Sequence, residues 1–309
     1  MNKPATELTD LRPILKEIGR GAHGARALAR EDAHKLFRAL LDGTVPDMEL
    51  GAILLAYRIK GETAEELIGF AQATAERTTP IKAPGAARVV LLPSYNGARK
   101  LPNLTPLTAM LLAKRGVPSL IHGVSDTHGR VTTEAIMGEL GVPTARSPSE
   151  AEVALGGRLF AYTPLDLLCP GLAALIATRR RLGVRGPAHT VAKLIDPFEG
   201  QSVRVVPLTH PPYFPNMRDC LADSTTPALL MRGSEGEPTA GPKRPLNVEC
   251  WRGSAWEEWS EPRPDEVPLP EIDAASTARW TEAALAGKRA IPTTILKLVD
   301  WLALASGQG

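Results

Sequence analysis

The hydrophobic spacing of this 309-residue chain changes once, near Pro80, and that change restricts the fold more than any other feature. Before Pro80, apolar residues recur three and four positions apart. Leu11, Ile14, Leu15 and Ile18 make one helical face, and Arg30–Leu41 forms a second amphipathic stretch ended by Asp42-Gly43. Met48–Lys60 reads as a third helix with Asp47 as its cap. Thr63–Ala75 reads as a fourth, with Thr63 and Glu66 in capping-box spacing. Short helices with tight glycine connections predict a helical bundle over residues 1–80.

After Pro80 the pattern alternates. Apolar runs at 88–93, 119–122, 159–162, 202–207 and 228–232 read as buried strands, and 104–115, 133–140 and 165–182 read as helices. This order predicts an α/β domain over 81–309, its mainly parallel sheet flanked by helices, with helix 165–182 joining the bundle. The stretch 233–270, rich in Pro, Gly, Trp and Glu, reads as irregular with room for a hairpin. Helices over 276–286 and 291–305 close the chain. No internal repeat is visible.

Hydrophobic residues make up 43% of the chain and aromatics 5%, so the core is built of aliphatic side chains. No apolar run is long enough to span a bilayer, and MNKPATELTD lacks the apolar core of a secretion signal, so a cytoplasmic location is expected. Cys169, Cys220 and Cys250 show no CxxC spacing and read as reduced, buried thiols. The net charge of +2 does not by itself mark a polyanion binder. Its distribution is uneven, however. Arg179, Arg180, Arg181 and Arg185 cluster, while Glu257, Glu258, Glu261, Asp265 and Glu266 carry acid elsewhere, which leaves room for a local basic face.

Three ordered blocks carry a family likeness. Residues 40–67, LLDGTVPDMELGAILLAYRIKGETAEEL, resemble the N-terminal helical signature of the anthranilate phosphoribosyltransferase and pyrimidine nucleoside phosphorylase superfamily (glycosyltransferase family 3). Residues 179–185, RRRLGVR, resemble the family's RRELGxR segment, and Gly287-Lys-Arg-Ala-Ile-Pro292 resembles its C-terminal end. Residues 17–26, 186–197, 209–211 and 231–237 resemble more closely a divergent YbiB-type branch. That branch implies a homodimer, joined through the helical domain, that binds nucleic acid and has no established transferase reaction.

The resemblance also shows where the chain departs from its relatives. The family's GTGGD phosphate loop aligns with Pro93-Ser94-Tyr95-Asn96-Gly97, where Pro93 has no N–H and Tyr95 adds a bulky ring that could instead stack a base. The NxST element aligns with Asn103-Leu-Thr105-Pro106, which also reads simply as a helix start capped by Thr105. KHGNR aligns with Ile121-His122-Gly123-Val124-Ser125, which lacks the Lys and Arg; His128 and Arg130 nearby could contact an anion at the following helix. The metal-binding Asp-Glu pair falls on Pro238-Thr239, with Glu235 and Glu237 close by. The family thus implies a vestigial site at Tyr95, Asn96, Gly97, Asn103, Thr105, His122, Gly123, His128 and Arg130, with no catalytic residue, cofactor or metal. The expected function is sequence-nonspecific nucleic-acid binding, single-stranded included, by Arg99, Lys100, Arg179, Arg180, Arg181, Arg185 and Lys193. A glycosyl or phosphoribosyl transferase with an altered donor site, and with magnesium as its cofactor, is the alternative.

Overall fold

Apolar spacing and local capping explain most of the helix boundaries in the computed structural model, which describes residues 10–21, 23–125, 129–261 and 266–308. The chain divides into two units. One runs to Thr78 and resumes over Cys169–Ile195; the other holds Thr79–Leu168 and the residues from Asp196 onward.

The helical unit contains α1 (Arg12–Ile18), α2 (Arg30–Leu41), α3 (Asp47–Lys60) and α4 (Ala64–Ala75). α2 and α4 pack closely because Gly69 has no side chain. A Cβ there would lie 2.5 Å from the Arg30 carbonyl, and the Phe37 and Phe70 rings stack 4.5 Å apart. The capping box at Thr63 and Glu66 is formed. The Glu66 carboxylate is fully buried and accepts from Leu28 N (2.9 Å), Tyr57 Oη (3.0 Å), Lys60 Nζ (2.6 Å) and Thr63 N (2.9 Å). Its charge is therefore met by donors from three segments, which a buried carboxylate requires. Asp47 does not cap α3. Pro46 holds the extended capping position and Asp47 lies in the first turn, where its charge still suits the helix N-terminus.

The single helix expected over 165–182 is three: Leu165–Leu168, Pro170–Ala177 and Arg179–Leu182. Pro170 cannot donate to the preceding turn and forces Cys169 out of helical geometry, at φ −153° and ψ 88°. Only the second and third pieces belong to the helical unit.

The α/β unit carries β1 (Val89–Ser94), β2 (Ser119–Gly123), β3 (Phe160–Pro164), β4 (Ser202–Leu208), β5 (Ala228–Arg232), β6 (Leu246–Trp251) and β7 (Trp256–Glu261). Their order is β3-β2-β1-β4-β5-β6-β7. The first five strands are parallel, while β6 and β7 form an antiparallel hairpin at the edge, in the stretch that had read as irregular. The outer strand β7 exposes Glu257 and Glu258 and half-buries Trp256, Trp259 and Glu261.

The chain goes from β1 to β2 on one side and later returns to β4 on the other, so the strand order reverses beside β1. Ligands of open α/β sheets gather at such a point. The β1–β2 ladder continues to Ser94 and Gly123, but the β1–β4 ladder ends at Leu91 and Arg204, before Pro93. The loop that follows β1 leaves the sheet where these two neighbours part.

In the α/β unit two helices form where periodicity gave no signal, Pro148–Arg158 and Phe214–Ala222. α5 (Thr105–Lys114) and α6 (Thr133–Glu139) flank the loop region. Thr105 is not the cap of α5. Leu104 holds that position, and Thr105 is the first helical residue, its N–H donating to Asn103 Oδ1 at 3.1 Å. The helices Ala274–Leu285 and Thr293–Ser306 close the unit. Among the described residues no helix is long and apolar enough to cross a membrane. All three cysteines are free and buried.

Candidate functional site

The loop after β1 contains a run of six backbone N–H groups, Asn96 through Leu101, and every one of them is taken. Ala98 N donates to the Val131 carbonyl at 2.8 Å. Asn96 N and Gly97 N converge on Glu237 Oε1, each at 2.8 Å. Arg99 N (3.2 Å), Lys100 N (2.6 Å) and Leu101 N (2.8 Å) converge on Glu235 Oε1. A concave row of N–H groups of this kind binds anions. Here both anions come from the chain itself.

The two carboxylates are delivered by one tight turn, Ser234-Glu235-Gly236-Glu237. Glu235 (φ 52°) and Gly236 (φ 87°) both have positive φ, as the central residues of a type I′ turn do, and Glu237 N donates to the Ser234 carbonyl at 2.9 Å. Gly236 is required for space as well as conformation: a Cβ there would collide with Asn96 Nδ2. Glu237 is 1% exposed. Its Oε2 accepts from Ser94 Oγ and from Asn103 Nδ2 (3.4 Å). Asn103 Nδ2 also donates to Thr133 Oγ1 at 2.8 Å, and Thr133 and Ser94 share a hydroxyl contact of 2.8 Å.

Burial pushes the Glu237 carboxyl above its ordinary pKa, opposed by the donors from Ser94, Asn96, Gly97 and Asn103. For Glu235 the balance reverses. Burial raises it, but the N–H groups of Lys100, Leu101 and Arg99 and the charge of Arg130 prevail and hold it below the usual carboxylate range. Among the described residues no group of three or more His, Cys, Asp or Glu side chains could hold a metal ion.

The other residues named by the family pattern gather at the same end of the sheet. Tyr95 is buried at the end of β1, with its hydroxyl 2.6 Å from His122 Nδ1 and the two rings 5.5 Å apart, edge to face. It therefore cannot stack a base, as its sequence position had allowed. His122 is completely buried, which lowers its pKa to about 3 and keeps the ring neutral. Gly123 passes so close to β1 that a Cβ would collide with the Ser94 carbonyl. Arg130, half-buried, directs Nη1 to the Asn96 carbonyl (3.4 Å), so the anion beside it is Glu235. His128 lies outside the described residues.

The basic residues fall in both units. Arg99 and Lys100 are exposed on the loop of the α/β unit, while Arg179, Arg180, Arg181, Arg185 and Lys193 belong to the helical unit. Arg179, Arg180 and Arg181 occupy a one-turn helix ended by Gly183 at φ 74°. Arg181 meets Asp47 at 3.2 Å with both side chains largely exposed, a weak pair. His189 reports the local field. Burial first, then the charges of Arg185, Arg179 and Lys193, lower its pKa to about 3. The cations of this turn thus concentrate positive potential on one half-buried imidazole.

Comparison with known proteins agrees with this architecture. Residues 12–78 match the glycosyl transferase family, helical bundle domain. The chain is 40% identical over 304 residues to the protein YbiB of Escherichia coli (strain K12), covering 97% of this chain and 95% of that protein. It is 30% identical over 222 residues to anthranilate phosphoribosyltransferase 2 of Ralstonia nicotianae, covering 71% and 63% respectively. Among solved structures, anthranilate phosphoribosyltransferase from Thermus thermophilus matches with a TM-score of 0.78 at 21% identity, covering 96% of this chain and 89% of that one. The Saccharomyces cerevisiae enzyme in complex with PRPP and Mg matches with a TM-score of 0.73 at 15% identity, covering 96% and 88%. Likeness at such identities carries the fold. Joined to the near full-length relative, it places the chain in the anthranilate phosphoribosyltransferase-like family of glycosyl transferases.

Proposed function

We propose that the chain is a non-catalytic member of its family that binds nucleic acid without sequence preference, as a cytoplasmic homodimer. The observation that carries this reading is the occupied loop. All five N–H groups of residues 96–101 that face the turn end on Glu235 or Glu237, so a phosphorylated donor would meet two carboxylates where it needs donors. Tyr95 and His122, joined in the interior, are equally withheld from a substrate.

The basic turn favours a polyanion. Arg179, Arg180, Arg181, Arg185 and Lys193 lie within 15 residues of chain, Arg99 and Lys100 are adjacent in the other unit, and long flexible cations suit a phosphate backbone rather than a shaped small ligand. Dimerisation is favoured by α3, where Met48, Ala52, Leu55 and Ile59 are exposed at helical spacing; Met48 is 80% and Ile59 62% exposed.

Fluorescence anisotropy with a single-stranded oligonucleotide tests the reading. For about five phosphate contacts, affinity falls roughly 100-fold between about 50 and 200 mM salt. A flat salt response, or no binding at low salt, sinks it. The transferase alternative makes a different demand, namely heat on titration with phosphoribosyl pyrophosphate and magnesium.

A further inference from the structure

We infer that the groove beside the helix Ala274–Leu285 binds a small apolar monocarboxylate of the medium-chain fatty-acid type. Its hydrocarbon lies on Leu269, Trp280 and Ala283, and its carboxylate faces Arg279 and Arg289. The groove belongs to the α/β unit alone and shares no residue with the loop after β1 or with the basic turn, so the inference does not depend on nucleic-acid binding.

Three observations carry it. First, the groove is built from two segments tied together. Residues 268–271 run antiparallel to the helix, with Trp280 Nε1 donating to the Pro268 carbonyl at 3.0 Å and Thr277 Oγ1 to the Glu271 carbonyl at 3.4 Å. Between them opens a cavity of about 340 Å³, within the range of small-molecule sites. Ser276 and Ala283 line it two turns apart, which makes it about 10 Å long. Second, its wall is apolar along that length, formed by Leu269, Pro270, Trp280 and Ala283. Third, two guanidinium groups line it with no carboxylate of their own. Arg279 and Arg289 are exposed and, among the described residues, make no ion pair; Arg279 Nη2 donates only to Ser276 Oγ, at 3.0 Å. Arg289 lies in the Gly287–Pro292 segment, which carried part of the family likeness and has no role in the loop or the turn. A guanidinium fork matches a carboxylate, and the wall matches a hydrocarbon body. Glu271, at the end of the groove beside Thr277, repels a second negative charge and so favours a monoanion over a diphosphate or a polyanion. A cation of the same shape would meet two like charges.

The test uses full-length protein, sodium octanoate as the probe, and the indole N–H resonance of Trp280, identified by its loss in Trp280→Phe. Octanoate is expected to shift that one of the five tryptophan signals saturably, with a Kd of about 1 mM or below. Acetate, which lacks the chain, and octyltrimethylammonium, which reverses the charge, should each bind at least about tenfold more weakly. Arg279→Gln and Arg289→Gln should each weaken octanoate about tenfold. Ala283→Trp, which fills the groove, should remove the shift. Should Ala283→Trp fail to fold, Arg289→Gln at its exposed position decides by the same titration. A Trp280 signal unmoved by octanoate at about 10 mM overturns the inference. So does a shift that neither arginine variant weakens, or one that the cation reproduces, because the carboxylate would then not be what is recognised.

Discussion

The loop over 96–101 and the basic turn over 179–193 both offer positive potential, and they dispose of it in opposite ways. In the loop the potential comes from backbone N–H dipoles, whose directions are fixed by the chain. Two correctly placed carboxylates satisfy all five that face them, and Glu237 is sealed from water in doing so. In the turn the potential sits on long side chains. These keep much of their hydration, and the pair that Arg181 makes with Asp47 leaves both groups more than three-quarters exposed. Directional donors can be closed by an internal partner, whereas flexible cations are only partly neutralised by one. Within one chain, then, the directional donors of the loop are closed by the fold, while Arg180 and Arg181 of the turn stay exposed.

Stability measurements can break this comparison. The largest effect should follow Glu237→Ala, which leaves the Asn96 and Gly97 N–H groups buried without their acceptor and takes one of two partners from Ser94 and Asn103. We expect a loss of about 3–5 kcal/mol in urea unfolding. A loss below about 1 kcal/mol would mean that the loop does not depend on its acid. Gly236→Ala should cost about 2–3 kcal/mol, since the new Cβ meets Asn96 Nδ2 and the residue is held at φ 87°. The same denaturation series measures it.

Acid titration gives a smaller, graded effect. His122 is neutral in the folded protein down to about pH 3, while the unfolded chain protonates near 6.5. Its contribution is complete above pH 6.5 and is lost as pH falls toward 3, at about 1.4 kcal/mol per pH unit. The stability difference between wild type and His122→Gln, followed from about pH 6.5 to 4.5, should show that slope. An unchanged difference would place the imidazole in contact with solvent.

The smallest stability effects belong to the basic turn. Arg179→Ala and Arg181→Ala should each change unfolding free energy by less than about 0.5 kcal/mol. In oligonucleotide binding, each phosphate contact removed should flatten the logarithmic salt slope by about 0.7. A large stability loss with an unchanged salt slope would reverse the contrast and make the turn structural.

Much of the architecture was legible in spacing alone. The runs at 88–93, 119–122, 202–207 and 228–232 lie in β1, β2, β4 and β5 to within a residue or two, because central parallel strands are buried on both faces and so are written as continuous apolar sequence. The helices Pro148–Arg158 and Phe214–Ala222 were not. The first is built from Ala, Gly and Glu and buries only Ala151 and Leu155, and the second begins Phe-Pro-Asn. Neither shows a wide apolar stripe.

The site was legible in part. Family likeness pointed to the loop after β1, to His122 and to Asn103. It could not show that Glu237 reaches Asn96 across 141 positions of sequence. A carboxylate oxygen that is met by backbone N–H groups, as Glu237 Oε1 is, has no sequence signature, since every residue except proline supplies one. The one local hint was the Ser-Glu-Gly-Glu string, a positive-φ turn that puts two acids on either side of a glycine. Tyr95 was misread for a related reason: a residue just past an apolar strand can be interior or exposed, and here the hydroxyl's partner is His122, which β2 supplies.

Strand β7 bears on self-association. An outermost strand presents unpaired backbone groups that a second copy could extend, and repeated extension yields fibres. Glu257, Glu258 and Glu261 line that margin with like charge, and a facing copy would bring an equal row against it. Growth by strand addition is thereby discouraged. Self-association through helices such as α3 would close after one partner, so at cellular concentrations the chain should stop at a finite assembly instead of polymerising.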